Sequence, residues 1–240
     1  QEVDCSVLLP MDGAALKTAA ISVKQANIPL VIFDRQIPDF APSATVTGDN
    51  RGIGVRTAEY FNNYFPKGST VLELMGDTST VPFLRSDGFA ETLNSNFQHI
   101  QVGYTDWQRE RTKTMFKEWI RKQPAEVRRS VGGIYTHDDE IALGVLDVLD
   151  EYKEQGTIQK MFPNLKVIAG SSDSQEMYQR IQEEEDYTLI SLSYLPNMIR
   201  EAIRTGEHLM KGEPYEEMEI IPTELVTKKN VENYIKKTAK

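Results

Sequence analysis

Gly133-Ile-Tyr-Thr136-His137-Asp138-Asp139-Glu140-Ile-Ala-Leu-Gly144 decides the fold. Gly133 to Thr136 reads as a buried strand, His137-Asp138-Asp139 as a polar turn, and Glu140 to Tyr152 as a helix. The same succession repeats nearly from end to end. Further strands are expected at Ser6 to Leu9, Pro29 to Phe33, near Thr45, and at Val71 to Met75, Ile100 to Gly103, Lys166 to Ala169 and Thr188 to Leu192. Helical patterns fall between them, at Ala14 to Gln25, Arg51 to Tyr64, Val81 to Asn94, Gln108 to Arg121, Ser174 to Gln182 and Pro196 to Met210. Strands of about five residues alternating with helices of about 10 to 15 predict an α/β chain built on parallel sheets.

Composition narrows the function classes. With 240 residues, the chain has room for one large α/β domain or two smaller lobes. The 40% hydrophobic and 26% charged content is that of an ordinary soluble globular protein. No apolar run approaches the roughly 18 residues a membrane helix needs. A net charge of −9 argues against nucleic-acid partners and against docking on anionic lipid. The single cysteine, Cys5, excludes an internal disulfide framework and a cysteine-rich zinc site. Gln1-Glu2-Val3-Asp4 is polar, so an exported protein would have lost its signal peptide from this sequence.

Ligands of open parallel sheets bind at the carboxyl ends of the strands. The segments just past the expected strands are Asp34-Arg35, Gly76-Asp77-Thr78-Ser79, Tyr104-Thr105-Asp106-Trp107, His137-Asp138-Asp139, Ser171-Ser172-Asp173 and Ser193-Tyr194. Carboxylates and arginine hydrogen-bond adjacent hydroxyls in pairs, and aromatic faces stack on the C–H face of a sugar ring. A polyhydroxylated ligand therefore suits these loops. The plainer alternative is that strand ends are polar because they are loops.

Five stretches, in order along the chain, resemble the ribose-type (type I) sugar-binding proteins of ABC transporters. They are Asn27-Ile-Pro-Leu-Val-Ile-Phe-Asp34-Arg35, Gly48-Asp49-Asn50, Arg85-Ser-Asp-Gly-Phe89, His137-Asp-Asp-Glu-Ile-Ala-Leu-Gly144 and Ile221-Pro-Thr-Glu-Leu-Val-Thr-Lys-Lys-Asn230. The resemblance implies the type I periplasmic binding protein fold: two Rossmann-like lobes with parallel sheets, joined by a three-crossing hinge, with the sugar held between them. On that template the crossings fall near Asp49, Tyr194 and Ile220. One lobe is then 1–48 with 195–219, and the other is 49–194 with 220–240. The family's first two strands and two helices have no counterpart, so the first lobe is expected to be truncated by on the order of 50 residues.

The resemblance also implies site residues. Asp34 and Arg35 stand where the family grips sugar hydroxyls, the alternative being a local surface ion pair. Arg85 stands at a ligand arginine. Near a helix start it gains nothing from the macrodipole, so a ligand or carboxylate partner is expected. Trp107 stands at a ring-stacking aromatic, with hinge packing as the alternative. Asp138 occupies a position where the family usually has asparagine; when ionised it accepts hydrogen bonds but cannot donate them. Asp173 follows Gly170-Ser171-Ser172 where the family shows Gly-Phe-Asp-Gly, one residue out of step. Tyr194 replaces a frequent glutamine and Leu9 a frequent asparagine. These departures leave the sugar's identity open and disfavour ribose itself.

Other features carry blander readings. Gly52-Ile53-Gly54 lacks the third glycine of a dinucleotide fingerprint. His99, His137 and His208 are too scattered for a local metal motif, so no metal is expected, and no cofactor is implied. Glu183-Glu184-Glu185-Asp186 reads as a solvated turn. The expected protein is an extracytoplasmic solute-binding protein, periplasmic or on the cell surface, that serves an ABC permease or a sensor kinase. A second reading is the effector domain of a LacI-type transcription regulator, although no helix-turn-helix is present and the regulators' Gly-Phe-Asp-Asp signature is missing. An enzyme is the least favoured reading, because no nucleophile elbow or P-loop occurs and Asp138 and Asp139 are adjacent on one turn.

Overall fold

The computed structural model describes residues 3–194 and 197–238. The chain runs β1 (Ser6–Leu8), α1 (Gly13–Gln25), β2 (Leu30–Phe33), β3 (Ala44–Gly48), α2 (Asn50–Tyr64), β4 (Thr70–Met75) and α3 (Thr80–Thr92). It continues with β5 (Gln98–Tyr104), α4 (Arg109–Lys122), α5 (Ala125–Ser130), β6 (Val131–Thr136), α6 (Asp139–Glu154) and α7 (Ile158–Met161). It ends with β7 (Val167–Ser172), α8 (Gln175–Glu183), β8 (Thr188–Ser193), α9 (Met198–Lys211), β9 (Met218–Ile221), β10 (Leu225–Val226) and α10 (Glu232–Thr238). The expected strands and helices are present, with ends displaced by a few residues. The helix expected from Pro196 starts at Met198; Pro196 itself lies outside the described residues. Sequence patterning did not signal α5, α7, α10, β9 or β10. All five are short, and β10 has only two residues.

Two compact units divide the chain. Unit 1 comprises Gln1–Asn50, Ser79–Val81 and Leu195–Thr223; unit 2 comprises Arg51–Thr78, Pro82–Tyr194 and Glu224–Lys240. Strand β9 runs across position 220, where the template placed a crossing, so unit 1 continues to Thr223.

Unit 1 is built on a parallel sheet of order β1-β2-β3-β9. Alternate residues of its strands serve opposite faces, as strand geometry requires. Leu30 and Ile32 pack with Ala20 of α1 and with Ile37. Val31 and Val46 turn to the other face and pack with Ala202 of α9. Asp12 caps α1 by accepting from the Ala15 N–H at 2.9 Å. Helix α9 stops at Gly212, whose φ of 66° is the left-handed cap that glycine adopts without strain.

Unit 2 carries a six-stranded sheet of order β10-β8-β7-β6-β4-β5. All pairings are parallel except the antiparallel edge strand β10, which the expectation of parallel sheets did not anticipate. One face of the sheet (Leu72, Leu74, Ile134 and Ile168) is covered by apolar residues of α4, α6 and α8, such as Phe116, Val145 and Met177. The opposite face (Val71, Tyr135, Val167 and Ala169) is covered by Ile53 and Phe61 of α2 and Phe89 of α3. Burying each such side chain contributes roughly 1.5–3 kcal/mol, and this two-sided burial is why the strands are continuous apolar runs. Strand order reverses at β4, which has β5 on one side and β6 on the other. The crevice past β4 and β6 is therefore the topological switch point, where this sheet type places ligands.

Candidate functional site

At the switch point of unit 2, three of the expected residues come together. Arg85 lies on α3 and is only 2% exposed. Its guanidinium carbon sits 4.8 Å from the centroid of the Tyr194 ring and 5.6 Å from that of Trp107. Nη1 donates to Ser171 Oγ at 2.8 Å and to the carbonyl of His137, and Ser171 Oγ donates to the same carbonyl at 2.9 Å. A guanidinium taken out of water is costly unless hydrogen-bonded. Here two hydrogen bonds donated to strand-end residues, together with two cation–π contacts of roughly 1–2 kcal/mol each, offset that cost.

Two glycines make the arrangement possible. Trp107 lies against the end of β4 because Gly76 has no side chain; a Cβ there would meet the indole ring at 2.2 Å. Helix α2 approaches α3 at Gly54, where a Cβ would stand 2.0 Å from the Arg85 carbonyl oxygen. Gly54, in the Gly52-Ile53-Gly54 segment, thus serves the close packing of α2 on α3.

The Trp107 loop is held in an unusual backbone. Asp106 and Trp107 have φ of 50° and 63°, left-handed values that cost non-glycine residues of order 1–3 kcal/mol. The Thr105 and Asp106 N–H groups donate to the Met75 and Gly76 carbonyls at 2.9 and 2.8 Å, which pins the loop to the end of β4. Backbone strain retained beneath a partly buried indole marks a place where the ring's position matters.

Asp138 caps α6, accepting from the Glu140 N–H at 2.8 Å. Burial pushes its carboxyl up to about 6, while the cap hydrogen bond and the Arg85 charge act in the opposite sense. Its neighbour Asp139 is fully buried and accepts from Ser191 Oγ at 2.7 Å and the Ser174 N–H at 3.2 Å. Burial, reinforced by the Asp138 charge, pushes the Asp139 carboxyl up to about 8. Asp173 accepts from the Tyr178 hydroxyl at 2.8 Å, so part of its bonding capacity is spent on α8, the helix that follows it.

In unit 1, Asp34 and Arg35 follow β2. Asp34 adopts φ 66°, and its N–H donates to the Val46 carbonyl at 2.8 Å. Thr47 Oγ1 donates to the Asp34 carbonyl at 3.0 Å. Arg35 Nη1 reaches the Met11 carbonyl, past the end of β1, at 3.0 Å. These bonds tie the pair to the carboxyl ends of β1, β2 and β3.

Reading the strand ends reached the segments that hold His137 and Ser171 without giving either residue a role, and passed over Glu73. Glu73 sits in the middle of β4 with 0% exposure, and its signal was a lone carboxylate inside the apolar run Val71-Leu-Glu-Leu-Met75. His99 and His137, distant in sequence, both place Nε2 2.8 Å from its oxygens. Among the described residues, no group of three or more His, Cys, Asp or Glu side chains could hold a metal, and no helix is long and apolar enough to cross a membrane. The acidic turn after α8 is tied down by ion pairs from Arg180, Lys153 and Lys228.

The profile of the periplasmic binding protein domain family matches residues 1–214. The ribose import binding protein RbsB of Bacillus subtilis (strain 168) is 26% identical over 151 residues, covering 62% of this chain and 48% of that protein. The chain thus spans about half the length of that relative. Among solved structures, a galactofuranose binding protein superposes with a TM-score of 0.84 at 21% identity, covering 100% of this chain and 80% of that one. The fructose-binding periplasmic domain of a hybrid two-component system superposes with a TM-score of 0.82 at 19% identity, covering 99% of this chain and 76% of the other.

Proposed function

Since the chain belongs to the periplasmic binding protein domain family, we propose that it is an extracytoplasmic solute-binding protein that captures a sugar or sugar-like compound and presents it to an ABC importer or a membrane sensor. The observation that carries this reading is the Arg85 group: a buried guanidinium flanked by Trp107 and Tyr194 at the switch point of unit 2. A planar donor set recognises vicinal hydroxyls in pairs, and the flanking rings offer the apolar faces on which the C–H side of a sugar ring stacks. Asp138, within Coulombic reach of Arg85, supplies an acceptor for ligand hydroxyl donors. Asp34 and Arg35 supply the same combination of carboxylate and guanidinium at the strand ends of unit 1.

The relatives above are named as binding proteins for ribose, galactofuranose and fructose, and one belongs to a two-component system. They support a carbohydrate ligand and leave both importer and sensor open as partner. None of them favours a transcription regulator. No catalytic role is assigned to Asp138 or Asp139, whose bonds go to a helix cap and to Ser191 and Ser174.

A thermal-shift and calorimetric screen against pentoses, hexoses and inositols tests the proposal. Binding to the folded state alone raises the melting temperature by mass action, and a ligand at 100 times its Kd adds about 2.7 kcal/mol. A saturable rise with at least one polyol is expected. A folded protein with no response to any of them overturns the reading.

A further inference from the structure

Behind the Arg85 group lies a buried polar cluster to which no ligand role has been given. Glu73 accepts four hydrogen bonds within unit 2. Ser86 Oγ and His137 Nε2 reach Oε1 at 2.6 and 2.8 Å, and His99 Nε2 and Gln101 Nε2 reach Oε2 at 2.8 and 3.0 Å. Burial alone would raise the carboxyl's pKa, but the hydrogen bonds from His137 and His99 override it and hold Glu73 well below the usual carboxylate range. Burial keeps the His137 imidazole below its ordinary value, hence neutral, so Nε2 carries the hydrogen donated to Glu73. The cluster is therefore a carboxylate fully engaged by donors, the arrangement in which a buried charge is tolerated.

The identity of the two partners on Oε1 gives the cluster its meaning. Ser86 is the residue next to Arg85 on α3, and His137 supplies the carbonyl to which Arg85 donates. One carboxylate oxygen thus fixes both the backbone that carries the guanidinium and the backbone that receives it. Tyr135, two residues before His137, stacks on Phe89 of α3 at 4.6 Å and holds the same two elements together. We propose that Glu73 is a positioning residue for the Arg85 group, clamping α3 and the end of β6 onto β4 so that the guanidinium is preset between Trp107 and Tyr194. The inference rests on the reading of Arg85 as a ligand group, and preorganisation of that kind favours affinity by removing an ordering cost at the moment of binding.

The chain has two tryptophans, Trp107 and Trp119. In a Trp119→Phe background, the emission of Trp107 reports the guanidinium 5.6 Å from its ring. Glu73→Gln, which keeps one acceptor oxygen, and Glu73→Leu, which keeps none, are each combined with Arg85→Met to form double-mutant cycles. In ligand-free protein, both Glu73 substitutions are expected to shift Trp107 emission and acrylamide quenching, Leu more than Gln. With Met at position 85, neither should produce a further shift. Ribose, fructose, galactose and myo-inositol serve as binding probes, and the best of them should bind roughly tenfold more weakly to Glu73→Leu and severalfold more weakly to Glu73→Gln.

An unchanged Trp107 signal in both single variants overturns the proposal, as does an equal shift with Met at position 85, which would mark a general packing role. If Glu73→Leu does not fold, the Glu73→Gln cycle decides alone. If no probe binds the parent protein, the sugar reading fails, while the ligand-free emission cycle still decides whether Glu73 positions Arg85.

Discussion

Arg85 and Arg35 both follow parallel strands of an α/β sheet, and the two units secure them by different means. Arg35 in unit 1 is partly exposed and reaches a loop carbonyl, that of Met11, at 3.0 Å. Arg85 in unit 2 is 2% exposed and sits against a second layer of buried polar groups running through Ser171, His137 and Glu73. One guanidinium is anchored on the surface of its unit; the other is part of the core. Under the proposed function, the difference separates what a residue contributes to binding from what it contributes to folding, because only an arginine of the second kind would serve both.

Arg85→Met is the substitution expected to have the largest effect. It leaves the His137 carbonyl and Ser171 Oγ without their charged donor in a buried site, a loss of about 3 kcal/mol in stability. Sugar affinity should fall by roughly tenfold to a hundredfold, since a charged hydrogen-bonding group lost from a ligand contributes about 1.5–3 kcal/mol on its own account. Arg35→Met should weaken binding by about tenfold yet move stability by less than about 1 kcal/mol, as substitutions outside the core usually do. Urea unfolding and calorimetric titration of both variants check this. Equal stability losses would break the contrast.

The two buried carboxyls of the α6 turn sharpen the comparison through pH. Asp139 has a folded-state pKa of about 8 against 3.8 unfolded. Between those values the folded chain holds a proton that the unfolded chain has released, so this group's contribution makes stability fall as pH rises. Asp138, raised to about 6, adds a decline in the same direction at lower pH. Glu73 and His137 work in the opposite sense. The stabilisation from Glu73 is lost only as pH falls below the ordinary carboxylate range, and that from neutral His137 only as pH falls through the ordinary imidazole range. The interval from pH 7 to 8 therefore belongs to Asp139. The melting temperature should fall across it in the parent protein, and Asp139→Asn, which mimics the protonated carboxyl, should flatten that slope.

The parts of this molecule that could be read in advance share a cause. Strands such as Val167-Ile168-Ala169 are apolar because helices cover both faces of the sheet, and that two-sided burial leaves an unmistakable sequence pattern. Trp107 and Tyr194 stood out because they lie just past strand ends, Arg85 stood out through the family resemblance, and the structure brings the three side chains together. His137 stood in a strand-end turn, but its contact with Arg85 is made by a backbone carbonyl, which any residue would supply, so no role could be read for it. Glu73 was visible as an anomaly, but its partners at 86, 99, 101 and 137 come from three other elements, and only the folded sheet brings them together. For Asp173, the bond from Tyr178 is a local contact with the helix that follows it, which no strand-end argument anticipates.

The smallest expected effect contrasts an aspartate cap of unit 1 with one of unit 2. Asp12 is exposed and caps α1 through the Ala15 N–H; Asp138 caps α6 through the Glu140 N–H with its carboxyl buried. Replacing an aspartate cap by alanine costs about 1 kcal/mol from the lost hydrogen bond and the lost interaction with the helix N-terminus. Asp12→Ala should show that cost in urea unfolding. Asp138→Ala loses the same bond, but above pH 6 it also removes an ionised carboxylate held in a place that disfavours its charge. The two terms oppose each other, so Asp138→Ala should cost clearly less at pH 8 than at pH 5. A larger cost at pH 8 would mean that the Arg85 charge, and not burial, governs that carboxyl, and would place Asp138 within the electrostatics of the Arg85 group.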